Sequence, residues 1–282
     1  MSLPWAFICP SSRGIGHALT RHLLRSTTLP ILATTRGDAS ATRSSLLADL
    51  PGDHQLARRL AVVPCDVTDE PSIEAAARLA AELFPPKTHH LHLACAVPGI
   101  LHAEKSPRQV DAADSLESFR VNAVGPLLLI KHFSEFLPRR ATQMRLQKKG
   151  GKGEGQEEEE EAAAAGLPPH AVWLSMSARV GSVADNRLGG WYSYRASKSA
   201  VMSLTKTFDN FLQTRSGDKA VAVAYHPGTV RTDFSREYWD GVEEGKLFSP
   251  EYAAERMASV LSGLELGQRG RCWDWKNEEV PP

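Results

Sequence analysis

Trp5-Ala6-Phe7-Ile8-Cys9-Pro10-Ser11-Ser12-Arg13-Gly14-Ile15-Gly16 is the stretch on which the fold is read. Trp5 to Cys9 is a short apolar run of strand length, and Gly16 to Arg25 carries helical spacing. A strand that passes through a tight glycine turn into a helix is the first half of a strand-helix-strand unit. The alternation recurs. Ile31 to Thr35, Leu60 to Cys65, Leu91 to Val97, Ala171 to Ser175 and Val221 to Tyr225 read as further strands, with Gly270 to Trp275 as a last one. Helices are predicted over Ser72 to Phe84, Leu116 to Leu137, Tyr194 to Thr214 and Pro250 to Leu264. This order predicts an α/β fold: one doubly wound parallel sheet of about seven strands with helices on both faces, in a single domain over 1–282.

The composition allows a large core and excludes several function classes. Hydrophobic residues make up 42% of the 282. Charge balances at 33 basic against 33 acidic residues, so nothing global points to nucleic acid or an anionic membrane. No apolar run approaches the ~20 residues of a membrane span. Met1 to Pro10 has no charged side chain and leads into a strand, unlike a secretion signal. Cys9, Cys65, Cys95 and Cys272 are scattered, with no Cys-x-x-Cys. A reducing, cytoplasmic compartment with free, buried thiols is expected, and no metal site.

Gln143 to Pro169 does not belong to the alternation. Arg145, Lys148, Lys149 and Lys152 stand among glycines, followed by Glu157 to Glu161 and Ala162 to Ala165. So little apolar surface cannot offset the entropy of ordering the segment, which is expected to be a disordered surface insertion.

The turn of Ser11, Ser12, Arg13, Gly14, Ile15 and Gly16 suits a phosphate group. Glycines allow close backbone approach, and the helix start offers free N–H groups and a positive dipole end. Pro10 fixes φ near about −65° and has no N–H, so the turn is expected to work without a left-handed residue and without that donor. Arg36 follows the second strand, where NAD-preferring folds carry an acid, and Asp38 comes two residues late. Arg36 with Arg13 can clasp a 2′-phosphate instead, which predicts NADP(H) over NAD(H). After the third strand, Asp66-Val67 offers a carboxylate to the adenine amino group, or Asp66 caps the next helix.

Tyr194-Arg195-Ala196-Ser197-Lys198 puts a phenol and an ammonium on one helix face. A free tyrosine has a pKa of ~10, and a nearby cation favours the phenolate. A shift of ~3 units corresponds to about 4 kcal/mol. Such a tyrosine exchanges a proton with a substrate oxygen.

Taken in order, Ser-Ser-Arg-Gly-Ile-Gly, Asp66-Val67, Val121-Asn122-Ala123, Tyr194-x-x-x-Lys198 and Pro227-Gly228-Thr229-Val230-Arg231-Thr232-Asp233 resemble the short-chain dehydrogenase/reductase family over nearly the whole chain. The stretch Gly181 to Lys198 is similar to the subgroup of C-factor cell-signalling proteins and sniffer-type carbonyl reductases. The resemblance implies a Rossmann fold and reversible hydride transfer between NADP(H) and a small carbonyl or alcohol substrate. It makes Tyr194 the general acid. Lys198 holds the nicotinamide ribose, Asn122 kinks the long helix and binds a relay water, and Pro227, Gly228, Val230 and Thr232 border the nicotinamide. The family serine is expected at Ser177, with Ser175 in reserve and Ser182 a further candidate, because the usual catalytic position holds Ala178. Ala96-Val97-Pro98-Gly99 replaces the family's Asn-Asn-Ala-Gly, and Gly99 is expected to keep backbone room near the adenosine half. Phe234, Tyr238 and Trp239 either line an apolar substrate pocket with Trp191 and Tyr192 or cover the core. Family members pair through the long helix and the Tyr194 helix, which implies a homodimer or homotetramer. The rival reading is a non-catalytic NADP-binding signalling or scaffold protein.

Overall fold

Residues 1–50, 53–145 and 167–282 are described by the computed structural model. In chain order the elements are β1 (Leu3–Cys9), α1 (Gly14–Ser26), β2 (Ile31–Thr35), α2 (Ala39–Leu47), α3 (Asp53–Arg59), β3 (Leu60–Pro64), α4 (Glu70–Leu83) and β4 (His89–Ala96). Then come α5 (Ala112–Phe119), a π turn (Arg120–Val124), α6 (Gly125–Phe133) and β5 (Ala171–Met176). The last part holds α7 (Tyr192–Arg215), β6 (Ala220–His226), β7 (Thr229–Val230), a 3₁₀ stretch (Asp233–Gly241), β8 (Leu247–Phe248), α8 (Pro250–Ser262), β9 (Cys272–Asp274) and β10 (Glu279–Val280).

The main sheet has eight strands in the order β10-β9-β6-β5-β4-β1-β2-β3. All neighbours are parallel except β10, which turns back antiparallel on β9. The chain leaves β1 toward β2 and β3, then returns to add β4 on the other side of β1. That reversal opens a crevice at the carboxyl ends of β1 and β4, the usual ligand position of an open α/β sheet.

Alternating side chains of the central strands build two cores. Trp5 and Phe7 face one side and pack with Ile73 and Ala76 of α4, Leu129 and Phe133 of α6, and Phe208 and Leu212 of α7. Phe7 stacks on Phe133 at 4.1 Å. Ala6 and Ile8 face the other side, against Leu19 and Leu23 of α1 and Met257 and Leu261 of α8. Both faces are covered, so the strands read as continuous apolar runs instead of alternating ones.

Three expectations need correction. The helices α2 and α3 between β2 and β3 were absent from the sequence reading. Only Thr42 and Leu46 of α2 are buried, so its apolar stripe is too sparse to stand out. Asp38 starts α2 by accepting the N–H groups of Ser40 (2.7 Å) and Ala41 (3.0 Å). The long helix is interrupted by the π turn at Arg120–Val124, which holds Asn122. The charged insertion begins later than Gln143. Gln143 to Arg145 runs beside Ser2, with Ser2 N–H on the Gln143 carbonyl at 2.7 Å and Arg145 N–H on the Ser2 carbonyl at 2.9 Å. Leu167 to Pro169, the end of the expected segment, is also described, with Leu167 packed against the core and the Pro168 carbonyl bonded to His92 Nε2 at 3.0 Å, and the remaining expected disorder falls on residues 146–166, outside the described residues.

Candidate active site

The turn from β1 to α1 is built on two glycines. Gly14 adopts φ +58°, the left-handed region that glycine enters without cost. A Cβ on Gly16 would lie 1.9 Å from the Pro10 carbonyl oxygen, so only glycine fits there. The turn therefore does contain a left-handed residue, four positions after the proline that cannot supply one. α1 starts with no side-chain cap and no acidic residue in its first turn. Its first N–H groups are left for an anion. Ser12 and Arg13 are exposed beside them, and Ile15 is half-buried. Ser11 departs from its expected role. It is fully buried, donates to the Ile8 carbonyl at 3.0 Å and accepts from Thr20 Oγ1 at 3.1 Å, so it braces the turn from inside.

Arg36 is exposed just past β2, and neither it nor Arg13 makes a side-chain hydrogen bond or ion pair with a described residue. Asp38 is turned toward its helix. Asp66 Oδ1 accepts the Thr68 N–H (2.9 Å) and hydroxyl (2.8 Å), and it does not cap α4, whose N-cap is Asp69. Burial pushes the Asp66 pKa up, but the two Thr68 donors with Arg36 and Arg120 more than offset this and hold the carboxyl below its usual range. Val67 is buried against Gly125, where a Cβ would sit 2.9 Å from the Val67 Cβ.

Tyr194 lies in the first turn of α7, with Lys198 one turn on. Lys198 is 1% exposed, and its Nζ sits 5.8 Å from the Tyr194 ring centre and donates to the Met176 carbonyl at 2.9 Å. Asn122 is fully buried in the π turn. Its side chain accepts the Ile100 N–H at 2.8 Å, donates to the Ile100 carbonyl at 2.9 Å and donates to Ser197 Oγ at 3.0 Å. Ser197 in turn donates to the Tyr194 carbonyl at 2.8 Å. Asn122 thus ties the segment after β4 to the helix of Tyr194 and Lys198. The π turn makes room for this, because one extra residue in the turn rotates the side chain inward and disrupts the regular ladder. Gly99 lies beside these residues. A Cβ there would lie 3.6 Å from Lys198 Nζ and 3.8 Å from Asn122 Oδ1, so it borders the Tyr194–Lys198 end.

The charges differ from the simple expectation. Burial drives the Lys198 pKa down to about 7, and burial with the Tyr238 phenol drives that of Tyr194 up. No described residue hydrogen-bonds the Tyr194 hydroxyl. Tyr194 is therefore firmly protonated at neutral pH, the form an acid needs.

All three serine candidates are engaged. Ser177 Oγ donates to the Lys198 backbone carbonyl at 3.1 Å. Ser175 Oγ accepts from Trp173 Nε1 at 3.2 Å, and Ser182 Oγ accepts the Asp185 N–H at 3.0 Å and donates to the Pro282 carbonyl at 3.4 Å. Ser177, expected beside a substrate oxygen, instead holds the backbone of α7 from below. Gly181 does the same by contact: a Cβ there would lie 2.7 Å from the Lys198 carbonyl carbon.

The far rim comes from the segment after β6. Pro227 and Val230 are buried, and Gly228, at φ +75°, leaves 2.6 Å between a Cβ and Phe248. A Cβ on Gly14 would lie 3.4 Å from Thr232 Cγ2, which joins this rim to the α1 turn. Phe234 then reaches Gly99 and the Tyr194 ring, at 5.9 Å between ring centres.

Contacts between segments remote in the chain hold the start of α7. Gly189, Gly190 and Trp191 are all left-handed. The Trp191 N–H is held by the Glu104 carbonyl at 2.6 Å, and Arg195 donates to the carbonyls of Val180, Gly189 and Gly190. Glu104, 3% exposed, accepts from the Ser193 hydroxyl. No local pattern marks Glu104; only contact with a helix far along the chain gives it a role.

Elsewhere the molecule is plainer. A surface cavity of about 370 Å³ lies at the opposite end of α7, lined by Arg140, Gln213, Ser216 and Arg269 among others. Gln213 is 19 residues beyond Tyr194, roughly 28 Å along a helix. All four cysteines are buried and unpaired. Among the described residues no helix is long and apolar enough to cross a membrane.

No family model matches the chain. The C-signal protein of Myxococcus xanthus is 30% identical over 172 residues, 61% of this chain and 81% of that protein. The short-chain dehydrogenase srdF of Neurospora crassa is 26% identical over 191 residues, 66% of this chain and 62% of that protein. Among solved structures, the NADPH-bound carbonyl reductase from chicken fatty liver superposes with a TM-score of 0.76 at 27% identity, covering 100% of both chains. The ordered motifs, the strand order and these likenesses agree, and the chain belongs to the short-chain dehydrogenase/reductase family, near the C-signal protein.

Proposed function

We propose that this oxidoreductase is an NADP(H)-dependent carbonyl reductase working reversibly as an alcohol dehydrogenase, with Tyr194 as general acid and base. The observation that carries the reading is the buried Tyr194–Lys198 pair at the mouth of the crevice, with Asn122 and Gly99 beside it. The site fits a dinucleotide. The open start of α1, the close approach at Gly16 and the unpartnered Arg13 and Arg36 suit phosphates, and Asp66 and Val67 suit an adenine. Ser12, Gly14, Ile15, Pro227, Gly228, Val230 and Thr232 complete the proposed binding rim. NADPH, when bound, supplies the hydride that reduces the carbonyl carbon.

The chain's own residues supply the proton and the orientation. Tyr194 keeps its proton at neutral pH because it is desolvated, and gives it to the oxygen as negative charge develops there. Lys198 in its charged form then stabilises the phenolate. Burial works against that charge, which an anionic dinucleotide beside the amine would restore. Trp191, Phe234 and Tyr238 form an aromatic wall around the Tyr194 ring, which suits a flat, apolar carbonyl compound.

The test is NADPH oxidation over a panel of quinones, α-diketones and aromatic aldehydes. Tyr194→Phe is expected to lower kcat by about 10²- to 10⁴-fold with NADPH affinity unchanged. Full activity in Tyr194→Phe would sink the acid role. Ala178, with every candidate serine engaged, favours a second reading: a signalling or scaffold protein that binds NADP(H) without turnover. Tight NADPH binding with no turnover on any panel member would select it.

A further inference from the structure

A carbonyl oxygen brought to Tyr194 finds no serine hydroxyl beside it. Ala178 has none, Ser177 and Ser182 donate to the Lys198 and Pro282 carbonyls, and Ser175 is held at Trp173 Nε1 within β5. The neighbouring hydroxyls on α7 are taken too: Ser193 donates to Glu104 and Ser197 to the Tyr194 carbonyl. Thr232 donates to the Val230 carbonyl at 3.3 Å. Tyr238 offers a hydroxyl that none of these bonds occupies. Tyr238 stands on the 3₁₀ stretch Asp233–Gly241 and packs edge-on against Trp191, at 5.0 Å and 63°. Trp191 packs in the same way against Tyr194, at 6.2 Å and 76°. Tyr238 is half-buried, and no described residue hydrogen-bonds its hydroxyl. The Tyr238 and Tyr194 rings thus border the same indole from two sides.

We propose that the Tyr238 hydroxyl is the second hydrogen-bond donor to the substrate carbonyl oxygen and takes the part of the missing serine. The assignment rests on the carbonyl-reductase reading. In reduction the carbonyl carbon gains a hydride and its two electrons from NADPH, and the oxygen gains the Tyr194 proton. Tyr238 keeps its own proton and only donates a hydrogen bond, stronger as the oxygen becomes anionic. The phenol arrives on the segment after β6, whereas a serine would arrive from the end of β5. Trp191 aligns it by holding both rings, and Glu104 holds Trp191 through its N–H.

The experiment uses phenanthrenequinone and NADPH with the full chain, Tyr194→Phe, Tyr238→Phe and the double variant Ala178→Ser/Tyr238→Phe. Tyr238→Phe keeps the ring packing, so the thermal midpoint and NADPH Kd are expected to match the parent. Its kcat/KM is expected to fall about 10²- to 10³-fold, the range for loss of one oxyanion donor. The serine in the double variant is expected to recover at least about a tenth of the parent value, because it offers a hydroxyl from the other side. Parent activity in Tyr238→Phe, with Tyr194→Phe inactive, overturns the assignment and leaves the enzyme reading intact. A loss in Tyr238→Phe that the serine does not recover also overturns it, since the ring loop then acts by structure alone. A parent protein that binds NADPH and reduces no carbonyl overturns both.

Discussion

The Glu104 carboxylate accepts the hydroxyl and, at 3.4 Å, the backbone N–H of Ser193, closing the start of α7 across 89 residues of chain. The helix has no other side-chain cap, and its N-cap Trp191 is left-handed. A carboxylate at that end satisfies orphan donors and meets the positive dipole end. Tyr194 sits one residue further on, so its direction depends on this clasp. Glu104→Ala leaves those donors unpaired, at a cost of about 1–3 kcal/mol. Urea unfolding is expected to register that loss, and kcat on a quinone to fall about tenfold with NADPH Kd unchanged. Glu104→Gln, whose amide oxygen still accepts, is expected to retain most of both.

Lys198 gives NADPH binding a defined pH dependence. Burial lowers its pKa to about 7 in the free protein, against a usual value near 10.5. Below about pH 7 the ammonium is present, and above it the free protein holds a neutral amine. If the charged form is the one that receives the dinucleotide, each unit above pH 7 weakens binding by up to about tenfold, with proton uptake on binding. Fluorescence titration between pH 6 and 9 checks the slope. Lys198→Met is expected to bind weakly with no such slope, and a slope that survives would assign it to another group.

Arg36 is expected to decide between the two dinucleotides. Its guanidinium is exposed and unpartnered at the end of β2, and Asp38 is occupied with α2. A charged hydrogen-bond partner contributes about 1.5–3 kcal/mol. Arg36→Ala is therefore expected to lose at least about tenfold in NADPH affinity with NADH affinity little changed. Parent selectivity retained in that variant would move the 2′-phosphate contact elsewhere.

Three neutral histidines make the fold sensitive to acid. His90, His92 and His170 are 1%, 0% and 3% exposed, and burial lowers their pKa values to about 4, 3 and 4. The unfolded chain takes up protons near pH 6.5 that the folded chain refuses until about pH 4. Stability is thus full above pH 6.5 and falls as the pH drops through that window. At pH 5 each imidazole accounts for about 2 kcal/mol, at 1.36 kcal/mol per unit. Urea midpoints at pH 7 and pH 5 measure the loss, and His92→Leu is expected to shrink it. Equal midpoints at the two pH values would refute the buried neutral state.

Much of this protein was legible in the chain. The strands from β1 to β6, the glycine turn and the Tyr194–Lys198 spacing all follow from local periodicity and from side-chain chemistry within a few residues. The eighth strand β10 and the helices α2 and α3 were missed because each buries too few side chains to leave a pattern. The serine question could not be resolved in advance, since a hydroxyl's direction at a strand end depends on which carbonyl passes nearby. For Ser177 that carbonyl belongs to Lys198, 21 residues on. The pKa directions also needed the fold: four-residue spacing puts an amine near a phenol, but desolvation of both groups outweighs that proximity. The sequence by itself determined the sheet, the turn and the acid–amine pair, because those rest on short-range order. Tertiary structure alone decided that Glu104 clasps α7, that Gly99 borders Lys198 and that Tyr238 packs on Trp191. Those relationships join segments remote in the chain, and only the folded packing brings their side chains within bonding distance.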